Sequence, residues 1–392
     1  MTTMNRLDKY FEKEEKGAKG LYVHIPFCHK KCYYCDFLTF PGQEKRMDSY
    51  ISNLLKEMEI YQNKYGKILI DSVFLGGGSP SYLSLDNLDK LLKGIHENFN
   101  LNSKIEFTIE MNPEDVRQDK LKILKDYGVN RISLGVQTFD ENILKILGRV
   151  HKSSDVIEAI DLLNKNSFAN INLDMIYSLP LQEEKNLEND LKIISYLSPN
   201  HLSYYSLILE ENTYLHRLVR ENKISLNDDE MDRNFYHKIV TSLEEIGLKR
   251  YEISNFAKES YESVHNKKYW QMKEVLGIGM GASGFYKKAR YKNVCNFKKY
   301  GEMINDGVLP IGDYSEYNLK ELRTDYIITN MRLKEGINLK NYEEIFGISL
   351  LKERERKIKE YLDEGFLILM DNNLFFSLDG VDISNHILVD LI

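Results

Sequence analysis

Cysteine is scarce in this chain, at 4 of 392 residues. That scarcity excludes a disulfide-built scaffold and points to a reducing compartment, the cytoplasm. No apolar run reaches the ~20 residues that span a bilayer. The first twenty residues, MTTMNRLDKYFEKEEKGAKG, lack the apolar core of a secretory signal. Net positive charge is missing too. A formal charge of −7 argues against a general nucleic-acid binder, because phosphate contacts need a basic surface. Low-complexity tracts and internal repeats are also lacking. What is present suffices for a globular interior: 42% hydrophobic and 29% charged residues describe a soluble surface around a buried core. The length suits two domains, or one large α/β domain with an appendage. The local basic cluster Lys287, Lys288 and Arg290 reads as solvated surface rather than as an anion site.

Three of the four cysteines, Cys28, Cys32 and Cys35, fall within eight positions of HIPFCHKKCYYCDF, spaced C-x3-C-x2-C. Soft thiolates suit the irons of a [4Fe–4S] cluster, and three of them leave the fourth iron open to an outside ligand. Zinc is the competing reading, with His24 or His29 near enough to complete its ligands. The remaining thiol, Cys295, reads as a small buried residue.

Short apolar runs alternate with amphipathic stretches along most of the chain. LYVHIP (21–26), IDSVFLGGG (70–78), KIEFTIEMNP (104–113), NRISLGVQ (130–137), ANINLDMIYSLP (169–180) and HLSYYSLIL (201–209) have strand character. Helical patterns, such as residues 45–64, lie between them. This alternation predicts an α/β fold with a parallel sheet and crossover helices. Six such units fit an open (β/α)6 barrel, although periodicity alone does not separate that from a doubly wound sheet. Near residue 310 the pattern changes to Leu, Lys and Glu at helical spacing, ending in a helix, DEGFL, an apolar pair around Asp371-Asn372-Asn373, and LDG. That order suggests a small winged-helix-like unit. Without a basic recognition helix it reads as a packing or partner surface. The expected division is a polar lead-in over 1–20, a barrel with its extension over 21–309, and a C-terminal domain over 310–392.

Polar residues gather at the carboxyl ends of the expected strands, where α/β folds place their active sites. Gly76-Gly77-Gly78-Ser79-Pro80 follows the second strand, and glycines there allow close backbone approach to a ligand. Glu110 ends the third strand and Gln137 the fourth, and Arg149 lies just beyond with a planar fork suited to a carboxylate. Asp174 sits inside an apolar strand, where an unpartnered charge is costly. Each alone reads as structural. Together, downstream of a cysteine triplet, they read as a cofactor cradle.

The triplet, with an aromatic residue just before its third cysteine, resembles the signature of the radical S-adenosylmethionine (SAM) superfamily. Members bind SAM through the amino and carboxylate groups that chelate the open iron. More narrowly, YVHIPFC, CDF, GGGSPSYL, TIEMNPE, RISLGVQTFD, LGRVH, LDMIYSLPLQ and HLSYYSLILEENT closely resemble the coproporphyrinogen III dehydrogenase-like family. The resemblance implies a radical SAM partial (β/α)6 barrel with a smaller, mainly helical, winged-helix-like C-terminal domain. It implies that Tyr22 and Tyr34 flank SAM and that Gly77, Gly78 and Ser79 lie against its methionine end. Glu110, Gln137 and Asp174 then make its polar contacts, and Arg149 holds its carboxylate. Ser79 replaces the family's usual threonine and keeps the hydroxyl.

Within that family, the short amino-terminal segment, CDF, YEISNFA (251–257) and His265-Asn266-Lys267-Lys268-Tyr269-Trp270 resemble the haem-chaperone branch, HemW. That resemblance implies haem as cargo with His265 as a ligand, and delivery to apo-haemoproteins, including those of a respiratory chain. It leaves room for a homodimer and for peripheral membrane contact through recipients, and leaves open whether SAM is cleaved. Ser283 stands where relatives frequently carry histidine. The alternative is an oxygen-independent coproporphyrinogen III dehydrogenase, or another radical SAM tetrapyrrole enzyme, which would convert propionates to vinyls. A third reading is a regulatory or assembly module acting through the C-terminal unit.

Overall fold

The computed structural model describes residues 17–392. Most of the expected polar lead-in therefore lies outside the described residues, while Lys19 and Gly20 already belong to the first strand. Six parallel strands form the centre: β1 (Lys19–Ile25), β2 (Leu69–Gly77), β3 (Asn100–Met111), β4 (Arg131–Gln137), β5 (Asn170–Tyr177) and β6 (His201–Ser206). Between them run α1 (Met47–Tyr65), α2 (Leu85–Asn98), α3 (Gln118–Asp126), α4 (Ser153–Lys165) and α5 (Glu184–Leu197). All six strand runs read from the sequence are thus present in an α/β partial barrel.

The two faces of these strands differ in kind. Leu21, Val23 and Ile25 of β1 are fully buried on the helix side. They face a helical layer whose α1 member contributes Tyr50, Ile51, Leu54, Met58 and Tyr61, spaced as one helix stripe. Local chemistry fixes the helix starts. Ser84 Oγ accepts from Asn87 N at 3.2 Å ahead of α2, and Asp155 Oδ2 accepts from Lys152 N at 2.8 Å ahead of α4. The inward face is polar instead. At alternate positions it carries Glu110 of β3, Arg131, Ser133, Gly135 and Gln137 of β4, and Asn172 and Asp174 of β5. Bulky aliphatic residues normally fill a barrel, so this inversion leaves space inside it.

Sequence periodicity missed the two edges of the sheet. On one side β9 (Val275–Ile278) runs parallel to β1, followed outward by β10 (Ser283–Tyr286), β11 (Ala289–Asn293) and β12 (Ile311–Glu316), all antiparallel. On the other, β8 (Asn255–Ala257) and β7 (Lys249–Arg250) pair antiparallel beyond β6. These strands are too short for alternation to show. Lys287 and Lys288, with φ of 49° and 67°, turn the β10–β11 hairpin, and Arg290 pairs with Asp325 at 2.9 Å. Helix α6 (Asp229–Glu245) precedes β7, and α7 (Val264–Trp270) sits under the amino-terminal ends of β2 and β3, where Glu106 of β3 accepts from its backbone.

The C-terminal unit begins later than residue 310, because β12 still pairs with β11. It runs α8 (Leu319–Asn330), β13 (Ile337–Asn338), α9 (Leu339–Phe346), α10 (Glu355–Asp363), β14 (Leu367–Met370) and β15 (Asn373–Phe376), then α11 (Leu378–Asp382) and α12 (Ser384–Leu391). Asp371 and Asn372, at φ of 51° and 63°, form the two-residue turn between β14 and β15, a conformation that Asp and Asn tolerate. Three short antiparallel strands beside helices give the expected winged-helix-like form. Among the described residues no helix is long and apolar enough to cross a membrane.

Candidate functional site

The loop after β1 carries the three thiols and is fastened at both ends. Gly78 N and Ser79 N donate to Ile25 O and Phe27 O, each at 2.8 Å, while Phe40 N donates to Pro26 O at 2.8 Å. Tyr33 N donates to Leu147 O at 2.9 Å, tying the loop to the segment after β4. The glycine turn is needed sterically. Gly77 has φ of 115°, and a Cβ on Gly78 would stand 2.6 Å from Phe27 O and 2.9 Å from Cys28 Sγ.

These elements open onto one cavity of about 590 Å3, lined by Cys28, Cys32 and Cys35. Of the other residues expected at the site, Tyr34, Gly77, Gly78, Ser79, Glu110, Gln137, Arg149 and Asp174 also line it. Two expected residues do not. Tyr22 is set in the barrel wall, its hydroxyl 2.9 Å from His24 Nδ1 and its ring stacked on Phe74.

His265 requires a larger correction. It is 1% exposed, with Nδ1 3.0 Å from Ser72 Oγ and Nε2 3.3 Å from Tyr269 Oη. Burial pushes its pKa down to about 3, so it is a neutral, partnered core histidine rather than an accessible haem ligand. Cys295 corrects in the other direction, being exposed. Ser283 is exposed at the start of β10 and does not reach the cavity.

Donor chemistry bears on the metal readings. A single tetrahedral zinc, with Zn–S bonds of ~2.3 Å, would draw its sulfurs to roughly 3.8 Å of one another. Among the described residues, the acidic, His and Cys ligand atoms that gather within 4.8 Å are those of His237, Asp379 and Asp382, a surface group. The three thiols are not among them, so their sulfurs do not all lie within 4.8 Å of one another. Both histidines that could complete a zinc site are engaged elsewhere: His24 Nε2 lies 3.0 Å from Leu38 O, and His29 Nε2 lies 3.0 Å from Asp115 Oδ1. Burial, then the neighbouring Cys35 and Cys32, pushes the free Cys28 thiol up to about 12. Burial pushes Cys35 up to about 11. A cation bound to these thiols would release their protons.

A hydrogen-bond chain links the cysteine loop to the strand ends. Asp115 takes His29 at one oxygen and Ser81 Oγ at the other, at 2.8 Å. Ser81 Oγ lies 2.9 Å from Ser79 Oγ, which accepts from Asn112 Nδ2 at 2.9 Å. Asn112 Oδ1 in turn accepts from Arg149 Nη2 at 3.0 Å, and Gly135 O accepts from the same nitrogen at 2.6 Å. Arg149 Nη1 then reaches Cys32 Sγ at 3.6 Å. Burial works against the charge of this guanidinium, but Tyr34, Cys32 and Glu114 beside it more than compensate.

The carboxylates are held in less comfortable states. Burial, reinforced by Asp174, pushes Glu110 up to about 8, although Gly77 N donates to it at 3.1 Å. Burial also raises Asp174, against the hydrogen bonds from Ser133 and Asn172, each at 2.8 Å. Gln137 adopts φ of 70° and leaves its buried Oε1 without a partner. Strain and an orphaned acceptor at one residue mark a place prepared for a ligand.

Sequence reasoning did not single out Asn112, Ser81, Asp115, Arg131, Ser133 or Asn172. The available signal was polar residues two apart within otherwise apolar strands, as in RISLGVQ and NINLD.

The radical SAM superfamily profile matches residues 22–194, and the HemN C-terminal domain profile matches residues 317–383. Curated relatives include "Heme chaperone HemW" of Bacillus subtilis, 35% identical over 94% of this chain and 98% of its own length. The protein of that name from Lactococcus lactis is 34% identical over 93% of this chain and 95% of its own length. The fold is similar to coproporphyrinogen III oxidase (HemN) of Escherichia coli, with a TM-score of 0.83 at 20% identity, covering 98% of this chain and 93% of that one.

Proposed function

This chain belongs to the HemW family of the radical SAM superfamily, and from that membership we propose that it is a cytoplasmic haem chaperone. It binds a [4Fe–4S] cluster, SAM and haem, and hands haem to apo-haemoproteins, those of a respiratory chain among them. The observation that carries this reading is the convergence of three thiols, a glycine turn and four strand-end polar groups on one cavity.

Cys28, Cys32 and Cys35 hold the cluster. When bound, such a cluster supplies a redox-active iron site with one open position, suited to the amino and carboxylate groups of SAM. The chain's own groups then select and orient SAM. Gly77, Gly78 and Ser79 let the backbone approach its methionine end. Arg149, held in place by Asn112, Gly135 O and His151, keeps a fixed positive charge beside the thiols, to which a carboxylate is drawn. Glu110, Gln137 and Asp174 offer acceptors to hydroxyl and ammonium groups. Their raised pKa values mean that Glu110 and Asp174 retain protons more readily while the cavity lacks a cation, and cationic SAM draws them toward the ionised form. Tyr34 packs beside Arg149.

Haem, as cargo, is assigned to the cavity mouth. Phe37, Val150 and Ile208 line it while 60%, 58% and 71% exposed. An apolar rim this open on a polar cavity suits a flat macrocycle, and Lys30 and Lys31 on the same rim suit one of its two propionates.

Haem transfer tests the proposal. Cluster-loaded protein carrying haem is mixed anaerobically with an apo-haemoprotein, and the acceptor's Soret band is followed. The proposal expects the acceptor spectrum to grow with the haem supplied. No transfer from any form of the protein contradicts delivery. SAM-dependent conversion of coproporphyrinogen III to a vinyl product would establish the enzymatic alternative instead.

A further inference from the structure

Arg131 is 1% exposed, lines the cavity, and has no use in the assignments above. A buried guanidinium in a folded protein is normally paired, yet Nε and Nη2 of Arg131 have no hydrogen-bond partner. Its carboxylate neighbours are committed elsewhere, while Asn170, in register with it on β5, leaves its Oδ1 unpartnered as well. Glu106 accepts from Ser263 Oγ at 3.1 Å and from Val264 N and His265 N, both at 2.9 Å, so it caps α7. Glu110 accepts from Gly77 N, and Asp174 from Ser133 and Asn172. Glu110 and Asp174 feel the positive charge of Arg131 but form no ion pair with it. On the adjoining strand, Thr108 stands in direct register with Arg131, and its buried Oγ1 is also unpartnered. Two neighbouring strands thus hold three unused donors side by side, two N–H on Arg131, which lines the cavity, and one O–H on Thr108, which is buried in register with it.

We infer that Arg131 and Thr108 form a carboxylate-binding site at the base of the barrel cavity, separate from the carboxylate position at Arg149. A planar carboxylate takes two N–H bonds from one guanidinium edge and a third from a hydroxyl, and it neutralises the buried charge. The carboxylate belongs either to a small free acid or to a propionate arm of the haem cargo. Only the second source rests on the function proposed above.

The test uses cluster-loaded protein as wild type, Arg131→Gln and Thr108→Val, with three probes: sodium propionate, haem and haem dimethyl ester. Propionate, against chloride at equal ionic strength, should raise the wild-type unfolding midpoint saturably. It should do so less for Thr108→Val, and not at all for Arg131→Gln. If haem binds wild type about tenfold or more tightly than its diester, and the gap closes in Arg131→Gln, the carboxylate is the cargo's. If propionate acts but haem and diester bind alike, the ligand is a small acid, and the site stands. The inference is overturned if folded Arg131→Gln responds to propionate as wild type does, or if neither protein responds. Arg131 would then be bridged by water to Asn170 Oδ1, Glu110 or Asp174. It is overturned also if Arg131→Gln loses SAM affinity and propionate merely competes with SAM. Should Arg131→Gln fail to fold, Thr108→Val, which keeps shape and loses one hydroxyl, decides by a several-fold weakening of propionate or its absence. Wild type that binds no haem but responds to propionate would remove the chaperone proposal and leave this site intact.

Discussion

Replacing Glu110 with glutamine should stabilise the SAM-free protein while weakening its grip on SAM. In the folded chain this carboxyl is pushed from its ordinary 4.5 to about 8, chiefly by burial and then by Asp174. The unfolded chain therefore gives up the proton first. Stability falls as pH rises from about 4.5 and levels off above about 8. At ~1.4 kcal/mol per tenfold, the full displacement corresponds to at most about 5 kcal/mol. One side of the carboxyl faces the cavity, and water there reduces the working figure to about 2 kcal/mol. Glutamine keeps an oxygen for Gly77 N, which donates at 3.1 Å, and it cannot ionise. The stability gap between Glu110→Gln and wild type should thus be small at pH 5 and about 2 kcal/mol at pH 8.5. Denaturant unfolding at both pH values reads it, and calorimetry with SAM reads the loss of binding. A gap that does not change with pH, or a variant less stable at pH 8.5, would refute the claim that Glu110 is an unfavourable buried charge awaiting a cationic ligand.

Gly78→Ala puts a methyl 2.6 Å from Phe27 O and 2.9 Å from Cys28 Sγ. It should cost about 1–3 kcal/mol and lower iron content below the ~4 per chain of a full cluster, and full iron with an unchanged midpoint would mean that the turn has slack. His265→Ala should lose about 2–4 kcal/mol by opening a cavity and orphaning Ser72 Oγ, yet keep wild-type haem affinity in a Soret titration. Lost haem binding at intact stability would restore His265 as a ligand. His151 and His265 are each pushed down to about 3, first by burial. Both stay neutral in the fold while the unfolded chain protonates near 6.5, so stability should be lost as pH falls from about 6.5 toward 3. In acid denaturation, His265→Ala should show a shallower loss over that range, and an unchanged slope would contradict the assignment.

The six long strands were legible because each spans enough positions for its outward apolar alternation to show, as Leu21, Val23 and Ile25 do. The cysteine loop, the glycine turn and the strand-end polar residues were legible because strand order brings all strand ends to one rim. His265 was misread for a reason local sequence does not contain. Glu106, more than 150 residues earlier in the chain, caps α7 and fixes which side of that helix faces inward. Arg131 was passed over because a strand's first residue reads as a boundary, whereas here its side chain extends into the cavity. The edge strands β7 to β12 were missed because pairs as short as Lys249–Arg250 owe their existence to the neighbouring strand rather than to their own pattern. Gln137 shows that strain also escapes sequence: its φ of 70° follows from where β4 ends and not from any preference of glutamine.

The central claim is that this scaffold carries haem, and an anaerobic haem titration of cluster-loaded protein tests it most directly. The account predicts saturable, near-stoichiometric growth of a Soret band that survives His265→Ala and is weakened by charge placed on the apolar rim, as in Ile208→Asp. A titration without saturation, indistinguishable from free haem in buffer for wild type and variants alike, would contradict it.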